Sequence, residues 1–286
     1  MNNPIIKLEL LRRFRSPVAA WGIPLVVLLP GLAILSVYAV STHSASMTAA
    51  GVMGAGGIGV DAMQRIGRGM FGWVVGLLAV TMFMLVPSLV GASIAGERHA
   101  QTLQPLQLTA VTPGQIVAGK LVASLLYLLV LMLCTAPILV IPFLVGGVAV
   151  SQLLGAFIVM FLVMIELAAI SLAVSATFSS PAVASIVSVV ACWSVTIAPF
   201  VLTGVLTAML GVTRRGFDLF KSPIRYIVGV SPVSLSSWVV GLDDGLGPNV
   251  VKPGDRLVSV FWFIVLTVLA LWWARKKVTA PVDRDR

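Results

Sequence analysis

The chain has 286 residues, of which 59% are hydrophobic and 10% charged, and it carries a net charge of +9. Soluble domains average about 45–50% apolar and about 25% charged. This composition, with a mean hydropathy of +1.07, therefore excludes a soluble globule or a disordered chain. The apolar stretches are continuous and do not alternate with period two, which excludes an outer-membrane barrel and leaves a polytopic α-helical membrane protein. In that setting the excess of bases belongs to the membrane ends, where it sets orientation and meets anionic headgroups. No basic, aromatic-interleaved module points to nucleic acid.

Residues 1–17 predict a short amphipathic interface helix. Leu8, Leu10, Leu11, Phe14 and Val18 share one arc, with Glu9, Arg12 and Arg13 opposite. Pro17 marks the turn into the membrane. A first span is expected at 18–40, with Trp21 at the interface and Pro24 and Pro30 as kinks. It is too long for the apolar region of a signal peptide and is read as a retained span. Residues 41–70 are small, polar and glycine-rich. The second span is expected at 71–95, with Pro87 inside it, and a polar segment at 96–120 follows.

From Leu121 to Ile165 there are 45 residues without a charge, too many for one span at about 1.5 Å rise per residue. Pro142, Gly146 and Gly147 divide the stretch into spans at 121–143 and 152–176. A turn at Thr177–Pro181 leads to a fifth span at 182–203. A long segment at 213–256, with turn signals such as Asp243-Asp244-Gly245, precedes the sixth span at 257–274. Trp272 and Trp273, then Arg275, Lys276 and Lys277, close that span. Six spans place both termini on one side, and the terminal bases mark that side as cytoplasmic. Cys134 and Cys192 lie in apolar tracts and are expected as buried free thiols.

Several patterns carry less than their form implies. Gly54-x-Gly56-x-x-Gly59 has the spacing of a dinucleotide fingerprint but lacks the flanking strand and helix. Gly114-x-x-x-x-Gly119-Lys120 is followed by Leu121, where a phosphate-binding loop needs Ser or Thr for magnesium. Gly72-x-x-x-Gly76 has the spacing of a close helix approach. With two histidines, expected on opposite sides, no metal cluster or catalytic constellation can be assembled. Glu166 is the only acid inside an expected span. It is either a site for a proton or cation or a neutral or hydrogen-bonded carboxyl tying helices together near Ser171 and Ser175.

The stretch 94–121 is the most informative. It leaves a span, makes a short helix and two turns, and returns to the membrane. Glu97 and Arg98 sit at the membrane face, holding the loop base against each other or against backbone termini. Leu103 and Leu106 share a face for a partner. Thr112 and Pro113 start a new helix, and Lys120 anchors the next span.

This segment resembles the cytoplasmic loop between the second and third spans of ABC-2-type transporter permeases. The matching residues are Glu97-Arg98, Thr102-Leu103, Leu106, Thr112-Pro113, Ile116-Val117 and Gly119-Lys120. Asn3-Pro4-Ile5-Ile6 through Glu9, Arg12–Pro17 and Ser231-Pro232 resemble other parts of that family. The departures are Gln101, where the family has Gly before Thr-Leu, and Gln104-Pro105, where it often has Glu.

The resemblance implies an all-α integral membrane fold of one transmembrane domain, 1–286. It would have six transmembrane helices, an N-terminal amphipathic interface helix (Leu8, Leu11, Arg12, Arg13, Phe14) and a cytoplasmic coupling helix between spans 2 and 3. The coupling interface would comprise Glu97, Arg98, Thr102, Leu103, Leu106, Thr112 and Pro113. The expected function is the permease subunit of an ATP-binding-cassette exporter in the inner membrane, multi-pass, with both termini cytoplasmic and 213–256 extracytoplasmic. No catalytic residue, metal or cofactor is expected on this chain. ATP and Mg would sit on a cytoplasmic ATPase subunit present in two copies. A second permease chain, as homo- or heterodimer, and membrane lipid complete the expected partners. The alternative is an ATPase-independent secondary transporter or channel using Glu166.

Overall fold

A computed structural model describes residues 9, 11, 24, 27–32, 34–36, 38–40, 60–102, 113–146, 148–209, 231–232 and 253–279. The main helices are α1 (Val60–Gly91), α2 (Ser93–His99), α3 (Pro113–Cys134), α4 (Ala136–Val145), α5 (Val150–Ser175), α6 (Pro181–Met209) and α7 (Pro253–Thr279). No strand occurs among the described residues. α3, α6 and α7 each open on a proline, whose missing N–H costs nothing in a first turn.

Five helical stretches are long and apolar enough to cross a membrane: Gly67–His99, Pro113–Val145, Val150–Ser175, Pro181–Thr203 and Leu257–Val278. They fall where the second to sixth spans are expected and run past most of the expected ends, because the helices continue beyond the apolar windows. The first expected span, 18–40, is represented by the shorter apolar helix Val27–Val40. The chain is thus a multi-pass helical membrane protein with five such helices, and a sixth span is not established.

The uncharged run is broken twice. The reversal comes at Gly146, whose φ of +101° suits glycine. An earlier break at Thr135 was not anticipated. Pro137 explains it, because its ring lacks an N–H and crowds the carbonyl of Leu133. The Thr135 hydroxyl answers the break by donating to the Met132 carbonyl at 2.6 Å.

α5 is the hub. It packs against α1, α3, α6 and α7, and Met164, Leu167, Ala168, Ala169 and Leu172 are fully buried there. α1 contributes Met70, Val74, Leu78 and Met82, four residues apart, to the same core. The opposite faces are as apolar as the core. Val122, Leu126, Val130 and Leu133 on α3 and Leu257, Phe261, Ile264 and Val268 on α7 are exposed. In water such stripes would be an aggregation hazard, whereas in a bilayer the acyl chains cover them. Of the two cysteines, both free, Cys192 is buried and Cys134 only half-buried.

The close helix approach is not at Gly72 or Gly76, where an added Cβ would meet nothing within 4 Å. It is at Gly67, where an added Cβ would run into the Gly146 carbonyl, and at Gly91, where α1 crosses α6. A Cβ there would lie 2.5 Å from Ser188 Oγ and 3.1 Å from Ser185 Cα. Association of helices in lipid rests on such backbone proximity. Gly91→Ala should therefore cost about 1–3 kcal/mol, the usual penalty for overpacking. Gly76→Ala should be neutral or slightly stabilising. Thermal unfolding of the two variants in detergent checks the difference.

Candidate functional site

The site is built where α1 gives way to α2. At this junction the N–H groups of Ile94 and Ala95 leave the helical ladder. Both residues are fully buried, so water cannot take the freed donors, and an unmet buried N–H is costly. The N-cap residue is Ala92, which has no side-chain oxygen. The cap comes from another span: Ser175 Oγ, at the end of α5, accepts from Ile94 N at 3.0 Å and Ala95 N at 3.1 Å. These are the second and third positions of α2, the donors an N-cap serine serves from its own helix.

The relation is reciprocal. Arg98 on α2 sends Nη2 to the carbonyl of Ala176, the C-cap of α5, at 3.1 Å. A cation at a helix C-terminus also suits the helix dipole. α2 and α5 thus close each other's ends.

Lys120 brings in α3. Its side chain is 1% exposed, and Nζ lies 2.8 Å from Glu97 Oε1, 3.2 Å from the Ser93 carbonyl and 3.8 Å from Glu9 Oε2. A buried ammonium is tolerable only when paired and hydrogen-bonded, and here both ends of α2 and the N-terminal segment supply the partners. The second oxygen of Glu97 is buried without a partner.

α2 ends in a tight reversal. Thr102 N donates to the Glu97 carbonyl at 3.0 Å and Gln101 N to the Arg98 carbonyl at 3.1 Å, with Thr102 Oγ1 also on the Glu97 carbonyl at 3.3 Å. This pairing needs a left-handed residue, and Gln101 has φ of +56°. Glycine is the usual occupant of that position. The departure at Gln101 falls on the residue that bears the strain.

The structure therefore brings Glu97, Arg98 and Thr102 together. Arg98 meets a backbone terminus, as anticipated, while Glu97 pairs with Lys120 and not with Arg98. Pro113 opens α3, and the next residue, Gly114, faces the Arg275 guanidinium of α7. Leu103, Leu106 and Thr112 lie outside the described residues, as do Leu8, Arg12, Arg13 and Phe14. Leu11 is helical and exposed. Sequence reasoning missed Ser175 and Glu9 and read Lys120 only as a span anchor. A lysine opening an uncharged stretch of 45 residues, with an acid closing the preceding span, was the available signal. Ser231 also touches the bundle, its Oγ donating to the Thr196 carbonyl of α6 at 3.0 Å.

Glu166 stands apart from this junction. It is buried within α5, and neither carboxyl oxygen has a partner. The hydrogen-bonded tie is not made: Ser171 donates to the Leu167 carbonyl and Ser175 serves α2. Among the described residues no group of three His, Cys, Asp or Glu is placed to hold a metal ion. No known protein family matches the chain, and no curated protein does either.

Lys120→Met should destabilise by about 3 kcal/mol, the lower end of the range for stripping one partner from a buried pair, because Glu97 keeps some solvent. Glu97→Gln retains an acceptor for Lys120 and should cost about 1 kcal/mol. Thermal unfolding of the two variants should show that order. Gln101→Gly should act in the other direction. Relief of the left-handed backbone, less the entropy that glycine adds to the unfolded chain, should raise stability by up to about 1 kcal/mol, read as a higher midpoint in the same assay.

Proposed function

We propose that the chain is the membrane subunit of an ATP-binding-cassette transporter, working as an exporter whose ATP hydrolysis takes place on a separate cytoplasmic subunit. The supporting observation is the way α2 is held. Its start hangs on Ser175 of α5, its end on Ala176 of α5, and its middle on Lys120 of α3. Residues 103–112 connect this clamped helix to α3 in the chain. A force on that loop passes directly to the hub helix and to α3, which is what a coupling element must do. The loop motif read from the sequence supplies the partner's class.

In this reading the termini and the loop face the cytoplasm, the chain works in the inner membrane, and it pairs with a second permease chain and two ATPase copies. Leu103 and Leu106 dock the partner. Closure of the ATPase pair pushes the loop and the N-terminal segment, and the spans rock between inward-open and outward-open states. A second reading, ATPase-independent transport through Glu166, is favoured by the unpartnered carboxyl, but it gives the clamped helix no task.

One experiment separates the two. Fully burying a leucine is worth roughly 1.5–3 kcal/mol. Replacing both by aspartate, Leu103→Asp with Leu106→Asp, should weaken docking by about a hundredfold or more. The variant should insert and fold yet lose its ATPase on purification. Copurification at the wild-type ratio with transport intact would refute the docking role of these leucines, whereas a wild-type chain that purifies and transports with no ATPase would favour the second reading.

A further inference from the structure

The polar groups inside the spans are matched almost everywhere. Ser171 donates to the Leu167 carbonyl at 2.6 Å, Ser188 to the Ser171 carbonyl at 3.4 Å, and Thr196 to the Cys192 carbonyl at 2.8 Å. Against that background a few side-chain atoms within the spans are buried and unpartnered: one oxygen of Glu97 at the membrane end, both oxygens of Glu166 on α5, the indole N–H of Trp193 on α6 and the hydroxyl of Thr267 on α7. α5 packs on both α6 and α7.

Glu166 is 1% exposed. Its neighbours on the same face of α5, at positions 162, 163, 169, 170 and 173, are Leu, Val, Ala, Ile and Ala. Cys192 sits on the contact of α5 with α6. That thiol and the Ser171 hydroxyl are 3.5 Å apart and are occupied with each other and with the Leu167 carbonyl. One residue along α6, Trp193 packs on Phe83 of α1, with ring centroids 5.9 Å apart.

A buried carboxyl without a partner is costly to charge, and an intramembrane acid of this kind marks a site by default. The described residues offer no second and third ligand for a metal ion. An organic ammonium needs none. It brings its own N–H donors and positive charge to one carboxylate, and apolar and aromatic walls receive the rest of it.

We infer that Glu166 is the recognition group for a lipophilic ammonium compound, the Trp193–Phe83 pair and the apolar face of α5 taking its hydrophobic body. This deepens the transport reading and rests on it, because the sealed carboxyl is reached in the opened state of the spans, which the chain samples on its own and a cation can select without the ATPase. Glu166 lies nine residues before Ser175 on α5, about 14 Å along the helix axis. The junction that receives the push and the group that holds the cargo are on the same helix.

The full chain in phosphatidylcholine nanodiscs, a zwitterionic background, tests this without any ATPase. Fluorescence anisotropy is read with rhodamine 6G, an aromatic cation carrying N–H donors, and with fluorescein, an anion. The cation should bind saturably and at least about tenfold more tightly than the anion, and Glu166→Gln should weaken it by about tenfold or more, the worth of one charge-assisted contact. Glu166→Asp should lose less. Should the Gln variant fold poorly, the wild-type protein still decides: dodecylammonium should displace rhodamine 6G and dodecanol should not. Equal binding of cation and anion, wild-type affinity in a folded Gln variant, or equal displacement by amine and alcohol would each overturn the assignment. None of these outcomes touches loop docking, and loss of the docking role would leave the binding result unchanged.

Discussion

A backbone N–H that leaves its helix at a buried position must find a partner within the protein, because neither lipid nor a dry core offers one. The break after Gly91 frees two such donors, and Ser175 receives both. This one hydroxyl fixes where α2 begins and therefore where Glu97 and Arg98 point. It also fixes the relation of α2 to α5, the helix on which α1, α3, α6 and α7 all pack. The rest of the junction is built on that register. Arg98 reaches Ala176 because Ser175 has brought the two helix ends side by side. Lys120 finds the Ser93 carbonyl and Glu97 on one line, since they lie one turn apart on α2.

The two cations divide the work by their chemistry. A guanidinium offers a rigid planar fork, and Arg98 uses it on a fixed backbone carbonyl at a helix end. An ammonium is a compact charge on a flexible stem, able to face several oxygens arranged around it, and Lys120 meets two carboxylates and a carbonyl. Lys120 is thus the point where the N-terminal segment, α2 and α3 meet. Its desolvation is offset locally, so the junction stays whole as long as its acids do. A junction of this kind moves as a unit, which a loop of solvated side chains would not.

Much of the architecture was legible because hydrophobic length is a one-dimensional signal. The uncharged stretch after Lys120, the prolines at helix starts and the turn at Gly146 can all be read along the chain. The site was legible only in part. Glu97, Arg98 and Thr102 announce themselves as polar residues beside a span. Ser175 does not, because a serine in an apolar helix is ordinary until its partner, 80 residues away in sequence, is known. The break at Thr135 was missed because Pro137 lay inside a run that already had a more obvious divider at Gly146. The close approach at Gly91 was missed for the opposite reason, since the pair Gly72 and Gly76 has the familiar spacing while a lone glycine has none. Spacing reports what a helix can do, whereas the partner decides which glycine is used.

Two buried ionisable groups show what the bundle is organised to do. Lys120 is supplied with every partner its charge requires, and that completeness makes the junction rigid. Glu166, on the helix whose end caps α2, is supplied with none. A stability requirement alone would have placed a leucine there. A completed charge site at one end of α5 and an incomplete one further along it form a pair in mechanical series. A displacement of α2 has a direct path to Glu166 through Ser175 and Ala176 and the helix that carries all three residues, because in lipid a helix keeps its hydrogen bonds by moving whole.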